Sequence, residues 1–224
     1  MSTSTIGNYI TFSQNTPWNM QGRFYKEAGI DAWNNKIPYL ITNNLTIAHS
    51  YANVIWRFFQ EYASRQHASP GSDPFIIVEL GAGSGMFAFY LIKELLELRT
   101  RLNRPDLTFK YIMTDFSAKN MAYWRNHPAL RQSIQYFDEA ILDFAEYSIG
   151  ETSTLHLLEA GLDLDHSTYG SEYPKPWVVI ANYVFDTLPQ DIFEIRDGHL
   201  LEGLTPDHYC QNERITSYRV KTFH

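Results

Sequence analysis

The sequence predicts an α/β protein built on a doubly wound, mainly parallel sheet. Three observations carry that reading. Two short and almost uninterrupted apolar runs, Phe75–Leu80 and Trp177–Ala181, suit strands covered on both faces. Segments of helical period separate the apolar runs. A glycine cluster, Gly81, Gly83 and Gly85, follows the first run at once, where a strand of such a sheet turns into a helix.

Residues 1–40 are polar and punctuated by Gly7, Pro17, Gly22, Gly29 and Pro38, and read as an irregular leader. Ile47, Tyr51, Val54, Ile55, Phe58, Phe59 and Tyr62 recur at the spacing of one helix face, and 69–72 closes that helix as a loop. The expected division is therefore a leader and cap helix over residues 1–72 and a sheet domain over residues 73–224. After the glycines, Phe87 to Leu98 reads as a helix ended by Asn103, Arg104 and Pro105. Thr108 to Thr114 reads as the second strand, ending at Asp115, with Ser117 as N-cap of a helix through Arg125. Ser133 to Phe137 reads as the third strand, followed by Asp143 and Phe144. Residues 145–175 read as a long polar connection holding a short helix. Beyond the fourth strand, Ile192 to Ile195 and Leu200 to Leu204 flank Arg196-Asp197-Gly198-His199 as a hairpin.

Composition removes several classes of function. With 44% hydrophobic and 19% charged residues, the 224-residue chain is globular rather than disordered. Its net charge of -7 repels phosphate backbones and argues against a nucleic-acid partner. Cys210 is the single cysteine, so neither an internal disulfide nor a cysteine-rich zinc site is expected. The eight histidines are scattered without an H-E-x-x-H pattern, and no metal is expected. The first residues have neither the apolar core nor the basic start of a signal peptide, and no apolar run is long enough to span a bilayer. A cytoplasmic location is expected, with a mitochondrial one also open, and no membrane partner.

The candidate site lies at the glycines. Glycine lets the backbone approach a ligand without a Cβ in the way. Glu79, two residues before Gly81, is placed to attract the cationic end of an aminoacyl sulfonium, the chemistry of S-adenosylmethionine. A dinucleotide-binding oxidoreductase is the rival, because Gly83 to Ala88 fits G-x-G-x-x-A. From the strand-end glycine, Gly81, the sixth position is instead Met86, a poor fit. Asp115 can accept both ribose hydroxyls. Phe116 can lie against the adenine, and Asp143, with Phe144 beside it, can accept from the adenine amine. Asn182 and Asp186 follow the fourth strand, where an acceptor would meet the methyl group. Asn182 can accept a hydrogen bond from an amine, and Asp186 can take its proton.

The pairing of Val-Glu-Leu-Gly-Ala-Gly-Ser-Gly (78–85) with Val-Ile-Ala-Asn-Tyr-Val-Phe-Asp-Thr-Leu-Pro (179–189) resembles the MidA-type class I methyltransferases. Those include mitochondrial complex I assembly factors that methylate arginine in a partner protein. Pro38 to Phe59 is similar to the segment that precedes the glycines in that family, so the resemblance covers roughly residues 38–200. It implies a Rossmann-like methyltransferase sheet, S-adenosylmethionine as cofactor, and a protein side chain or small molecule as acceptor. Asn182, Asp186 and Pro189 match the family segment. Tyr183 stands where the family has Glu, and Asn44 stands about where the upstream segment has an acid. A guanidinium acceptor is normally oriented by carboxylates, so these departures leave arginine poorly supported. The four strands and hairpin also fall short of the family's full sheet, so the sheet is expected to be incomplete at its C-terminal side. A methyltransferase-like scaffold without catalysis is the second reading.

Overall fold

The computed structural model describes residues 9–35, 41, 43–65, 74–136, 139–165, 176–206 and 217–220. The loop expected at 69–72, with Pro38, Phe137 and Cys210, lies outside the described residues. In chain order the elements are β1 (Tyr9–Thr11), α1 (Thr16–Ala28), α2 (Ile30–Asn35), α3 (Leu45–Arg65), β2 (Phe75–Glu79), α4 (Met86–Arg101), β3 (Phe109–Asp115), α5 (Ala118–Asn126) and α6 (Pro128–Ile134). There follow β4 (Gln135–Tyr136), β5 (Glu139–Ala140), β6 (Leu142–Glu146), β7 (Thr154–Leu157), β8 (Leu162–Asp165), β9 (Val178–Ile180), β10 (Phe193–Arg196), β11 (His199–Pro206) and β12 (Ser217–Val220).

Two compact units result, one of residues 28–184 and one joining 1–27 to 185–224. The first holds a four-stranded parallel sheet in the order β6-β3-β2-β9. The chain steps outward from β2 to β3 to β6 and then returns to the far side of β2 as β9. In open α/β sheets ligands bind where the strand order reverses, here at the carboxyl ends of β2 and β9. All five β2 residues are buried. Phe75 and Ile77 join the larger core with α3, α4, α5 and α6, whereas Ile76 and Val78 join a second cluster on the opposite face. The fold class is the expected Rossmann-like α/β sheet.

The cap helix does not form a division with the leader. Ala48, Ala52, Ile55, Trp56 and Phe59 bury one face of α3, and Phe59 stacks on Phe75 of β2 with ring centroids 4.0 Å apart. The break expected at 72/73 is thus crossed by a continuous core, and the units divide at 27/28 and 184/185 instead. The leader is also more regular than its composition suggests, since it holds β1, α1 and α2.

Two further expectations are corrected. The third sheet strand is Leu142–Glu146, whereas Ser133 and Ile134 close α6. Charged Asp143 and Glu146 break the apolar run that would have marked β6 in the sequence. Residues 145–175 hold no helix among those described but the β7–β8 hairpin. Leu155, Leu157 and Leu164 of that hairpin pack on Ile76, Val78, Ile112 and Ala145, covering the second face of the sheet.

In the other unit, β10 and β11 form the expected hairpin, with Asp197 at φ 50 and Gly198 at φ 77 in its turn. Two consecutive left-handed residues match the twist of paired strands, which is why Asp-Gly serves here. Both β1 and β12 also pair with β11. Glu202 is fully buried in this sheet and paired with Arg219.

Candidate active site

Gly81, Gly83 and Gly85 lie at φ 63, 54 and 75, each in the left-handed region that penalises any side chain. Neighbouring strands hold the turn from both sides. Leu80 N–H donates to the Ile180 carbonyl at 2.8 Å, and Ala82 N–H donates to the Thr114 carbonyl at 2.9 Å. The three glycines then differ in what surrounds them. A Cβ on Gly85 would lie 2.8 Å from Met113 Cε and 3.2 Å from Trp124 and Leu130, all buried, so this glycine lets α4 seat on the sheet. A Cβ on Gly81 would meet Val184 at 3.0 Å. A Cβ on Gly83 would lie 2.7 Å from the Trp33 indole of α2.

Gly83 is held at three points. Its N–H donates to Asp115 Oδ2 at 3.3 Å, its carbonyl accepts from Trp124 Nε1 at 3.0 Å, and its open face meets Trp33. Asp115 ends β3 and is 5% exposed. It also accepts from Ser117 N–H at 3.0 Å and from Asn120 Nδ2 at 3.0 Å. Burial pushes its pKa up, and these donors pull it back down. Ser117 occupies the N-cap position of α5, yet its hydroxyl makes no capping bond. Phe116 is half-buried at the end of β3.

Glu79 is buried at the end of β2 and accepts from Tyr111 Oη at 2.9 Å. Burial pushes its pKa up to about 8, the Tyr111 hydroxyl lowers it, and the Asp115 carboxylate adds to the rise. Glu79 is therefore largely protonated at neutral pH, and a cation beside it would favour loss of that proton.

Asp143 and Phe144 do not take the places expected of them. Asp143 lies inside β6 rather than beyond it, and its carboxylate accepts from the N–H groups of Phe144, Glu159 and Ala160 at 2.8, 2.9 and 3.1 Å. Lys110 Nζ lies 4.0 Å away on the same carboxylate. The acid closes a backbone turn, so the adenine role is withdrawn. Phe144 is fully buried and stacked on Trp124 at 6.1 Å, a core residue without ligand access. The residue at the carboxyl end of β6 is Glu146, which is exposed and in register with Asp115.

Beyond β9, Asn182 Oδ1 accepts from Tyr51 Oη at 2.8 Å, leaving its Nδ2 buried without a hydrogen-bond partner. The side chain thus offers a donor to a ligand, where the sequence reading gave it the part of an acceptor. The Tyr51 ring is held edge-on by Phe87 at 5.3 Å. Tyr183 follows at φ 52, a strained setting for an aromatic residue, and is 64% exposed. Asp186 sits exposed on a short 3-10 turn, Phe185–Thr187, in the other unit, where the burial of Tyr25 and, second to it, the Asp186 charge raise the pKa of Tyr25. Asn44, which stands where the resemblance expects an acid, N-caps α3 by accepting from Ile47 N–H at 3.0 Å.

Sequence reasoning missed Trp33, Tyr51, Trp124 and Asn120. Tyr51 was visible as part of the apolar face of α3, but nothing local showed that its hydroxyl turns toward Asn182. Trp33 lay in the segment read as irregular.

The ends of β3 and β9 carry polar groups that a nucleoside or amino-acid ligand can satisfy. Ser117 Oγ, Asn120 Oδ1 and Asn182 Nδ2 are all buried without a hydrogen-bond partner. Residues 51–213 match the model of a family described as "Putative S-adenosyl-L-methionine-dependent methyltransferase". The chain belongs to that family. The membership agrees with the MidA-type resemblance and with S-adenosylmethionine as the family's cofactor, and it decides against the dinucleotide reading. No curated protein matches the sequence. Among solved structures, an uncharacterized protein from Burkholderia thailandensis is 15% identical with a TM-score of 0.44 over 97% of this chain. A member of the same superfamily from that organism, bound to S-adenosyl-homocysteine, is 14% identical with a TM-score of 0.40 over 97% of this chain. The chain spans 44% and 46% of those two structures. Among the described residues, no helix is long and apolar enough to cross a membrane, and no cluster of His, Cys, Asp or Glu is arranged to hold a metal ion.

Proposed function

We propose that this chain binds S-adenosylmethionine at the turn 81–85 and transfers its methyl group to an acceptor at the segment beginning with Asn182. The observation that carries this reading is the turn itself. Three left-handed glycines join a fully buried parallel strand to a helix, with Asp115 of the next strand reaching the middle glycine. Family membership supports the cofactor, and the acceptor is either a protein side chain or a small molecule.

When bound, S-adenosylmethionine supplies an electrophilic methyl group on a good leaving group. The residues supply position and charge. Glu79, once ionised, balances the cationic amino-acid end. Asp115 takes the ribose hydroxyls by exchanging one of its present donors for them. Glu146 replaces Asp143 as the acid for the adenine amine, with Phe116 beside the base. Asn182, fixed by Tyr51, donates Nδ2 to an oxygen of donor or acceptor and so narrows the approach of the two reactants. Asp186 is the proposed proton acceptor for the nucleophile.

Gly83→Leu places a side chain against Trp33 and into the turn. It is expected to weaken S-adenosylmethionine binding at least about 100-fold, roughly 2.7 kcal/mol, in titration calorimetry, while the protein stays folded. Unchanged affinity would make the turn merely structural. Asp186→Asn is expected to slow transfer and leave donor affinity alone, and an unchanged rate removes it from the mechanism. No binding of donor or product by the full chain would favour a scaffold without catalysis.

A further inference from the structure

Asp115 is the residue expected to take the ribose, yet the structure buries it. Four donors already occupy its carboxylate, the N–H groups of Gly83, Phe116 and Ser117 and the Asn120 amide, and a carboxylate offers about four lone-pair sites. The covering element is α2. Gly29, at φ 54, begins it by packing on α5, where a Cβ would meet Lys119 at 2.9 Å and Asn120 Oδ1 at 3.4 Å. One turn later Trp33 lies on the open face of Gly83. These two contacts put α2 over both ends of the Asp115 network, Asn120 on one side and Gly83 on the other. Beneath it, Ser117 Oγ and Asn120 Oδ1 are buried and unsatisfied. Burying two such groups costs free energy that a ribose would recover. Trp33 is only half-buried, whereas Trp124 on the opposite side of Gly83 is fully buried.

We propose that α2 is a lid on the nucleoside subsite, latched by Trp33 on Gly83, which must lift before a nucleoside reaches Asp115. The proposal rests on the methyl-donor reading of the same turn. The left-handed Gly29 is the pivot, since it can change conformation without a side-chain penalty. In the closed state the turn cannot accept ligand, so the apparent affinity is reduced by the fraction of open molecules.

The test uses the full chain and S-adenosyl-homocysteine as probe, followed by stopped-flow mixing. For the unaltered protein the observed association rate should level off as ligand rises, because opening becomes limiting. Trp33→Ala should associate about ten-fold faster with no plateau, the change expected if the open state makes up about a tenth of the molecules. Trp33→Phe keeps an aromatic ring at the latch and should fall between them, which guards against a folding defect in the alanine variant. Hydrogen exchange should show the amides of 30–35 losing protection when the probe binds, because the ligand selects the lifted state. Equal association rates for all three proteins would overturn the lid while leaving the methyl-donor reading intact. So would protection of the α2 amides that stays the same or rises when the probe binds. If none of the three binds the probe, the methyl-donor reading fails and the lid fails with it.

Discussion

The turn after β2 and the segment after β9 leave adjacent strands at the same end of the sheet, yet they are built differently. The turn is tied to several other elements: Gly83 to Asp115 and Trp124, Glu79 to Tyr111, Leu80 to Ile180. After β9 the Tyr51 hydroxyl holds Asn182, and Tyr183 stands exposed in a strained conformation. A donor common to a whole family can be met by a rigid, prepaid arrangement. An acceptor that differs between relatives is better met by a segment with few commitments. On the proposed reading, this difference would put acceptor specificity on the β9 side.

The largest expected effect comes from the most tightly packed point of the turn. Gly85→Ala forces a Cβ against Met113, Trp124 and Leu130 in a left-handed backbone. Strain and overpacking together should cost about 2–5 kcal/mol, read as a fall in denaturant midpoint. A loss below 1 kcal/mol would show that the turn is looser than its contacts imply.

Next is the pH dependence of Glu79. The carboxyl ordinarily ionises near 4.5, and burial raises it to about 8 in the folded chain. The folded state therefore holds a proton that the unfolded state gives up first. The stability due to the protonated form is complete below about pH 4.5 and is lost progressively as pH rises toward about 8. Glu79→Gln cannot ionise, so it should unfold at a higher temperature than the parent at pH 8 and at nearly the same temperature at pH 4. The same variant should bind S-adenosylmethionine more weakly, because the balancing charge is gone. Parallel melting curves for the two proteins across this range would contradict the assignment.

Smaller effects belong to the β9 side. Tyr51→Phe frees Asn182 to turn, and should lower the rate of transfer about ten-fold with donor affinity unchanged, as befits a positioning bond. An equal loss in donor affinity would move Asn182 into the cofactor's half of the site. Tyr183→Gly relieves the left-handed backbone and should stabilise the chain by about 1 kcal/mol at the expense of acceptor turnover. If it destabilises, the strain at Tyr183 is compensated locally and carries no functional meaning.

The sequence made the cofactor half far more legible than the rest. The β2 strand, the glycines, Asp115 and the β10–β11 turn are local patterns whose meaning lies in neighbouring residues. Asp143 shows where such reading stops. The sequence reading set it beyond a strand, and only the fold reveals three backbone N–H groups that satisfy it inside one. Asn182 shows the same from the other side, because its donor character depends on Tyr51, which is 131 positions away in the chain. Trp33 could not be read at all, since its partner is a glycine with no side chain to pair with.

The central claim is that the carboxyl ends of β2 and β3 hold the methyl donor. Titration calorimetry of the full chain with S-adenosylmethionine at pH 7, repeated in two buffers of different ionisation heat, tests it most directly. The predicted result is one binding site whose heat depends on the buffer, because Glu79 releases its proton as the cation arrives. No binding in either buffer would contradict the claim.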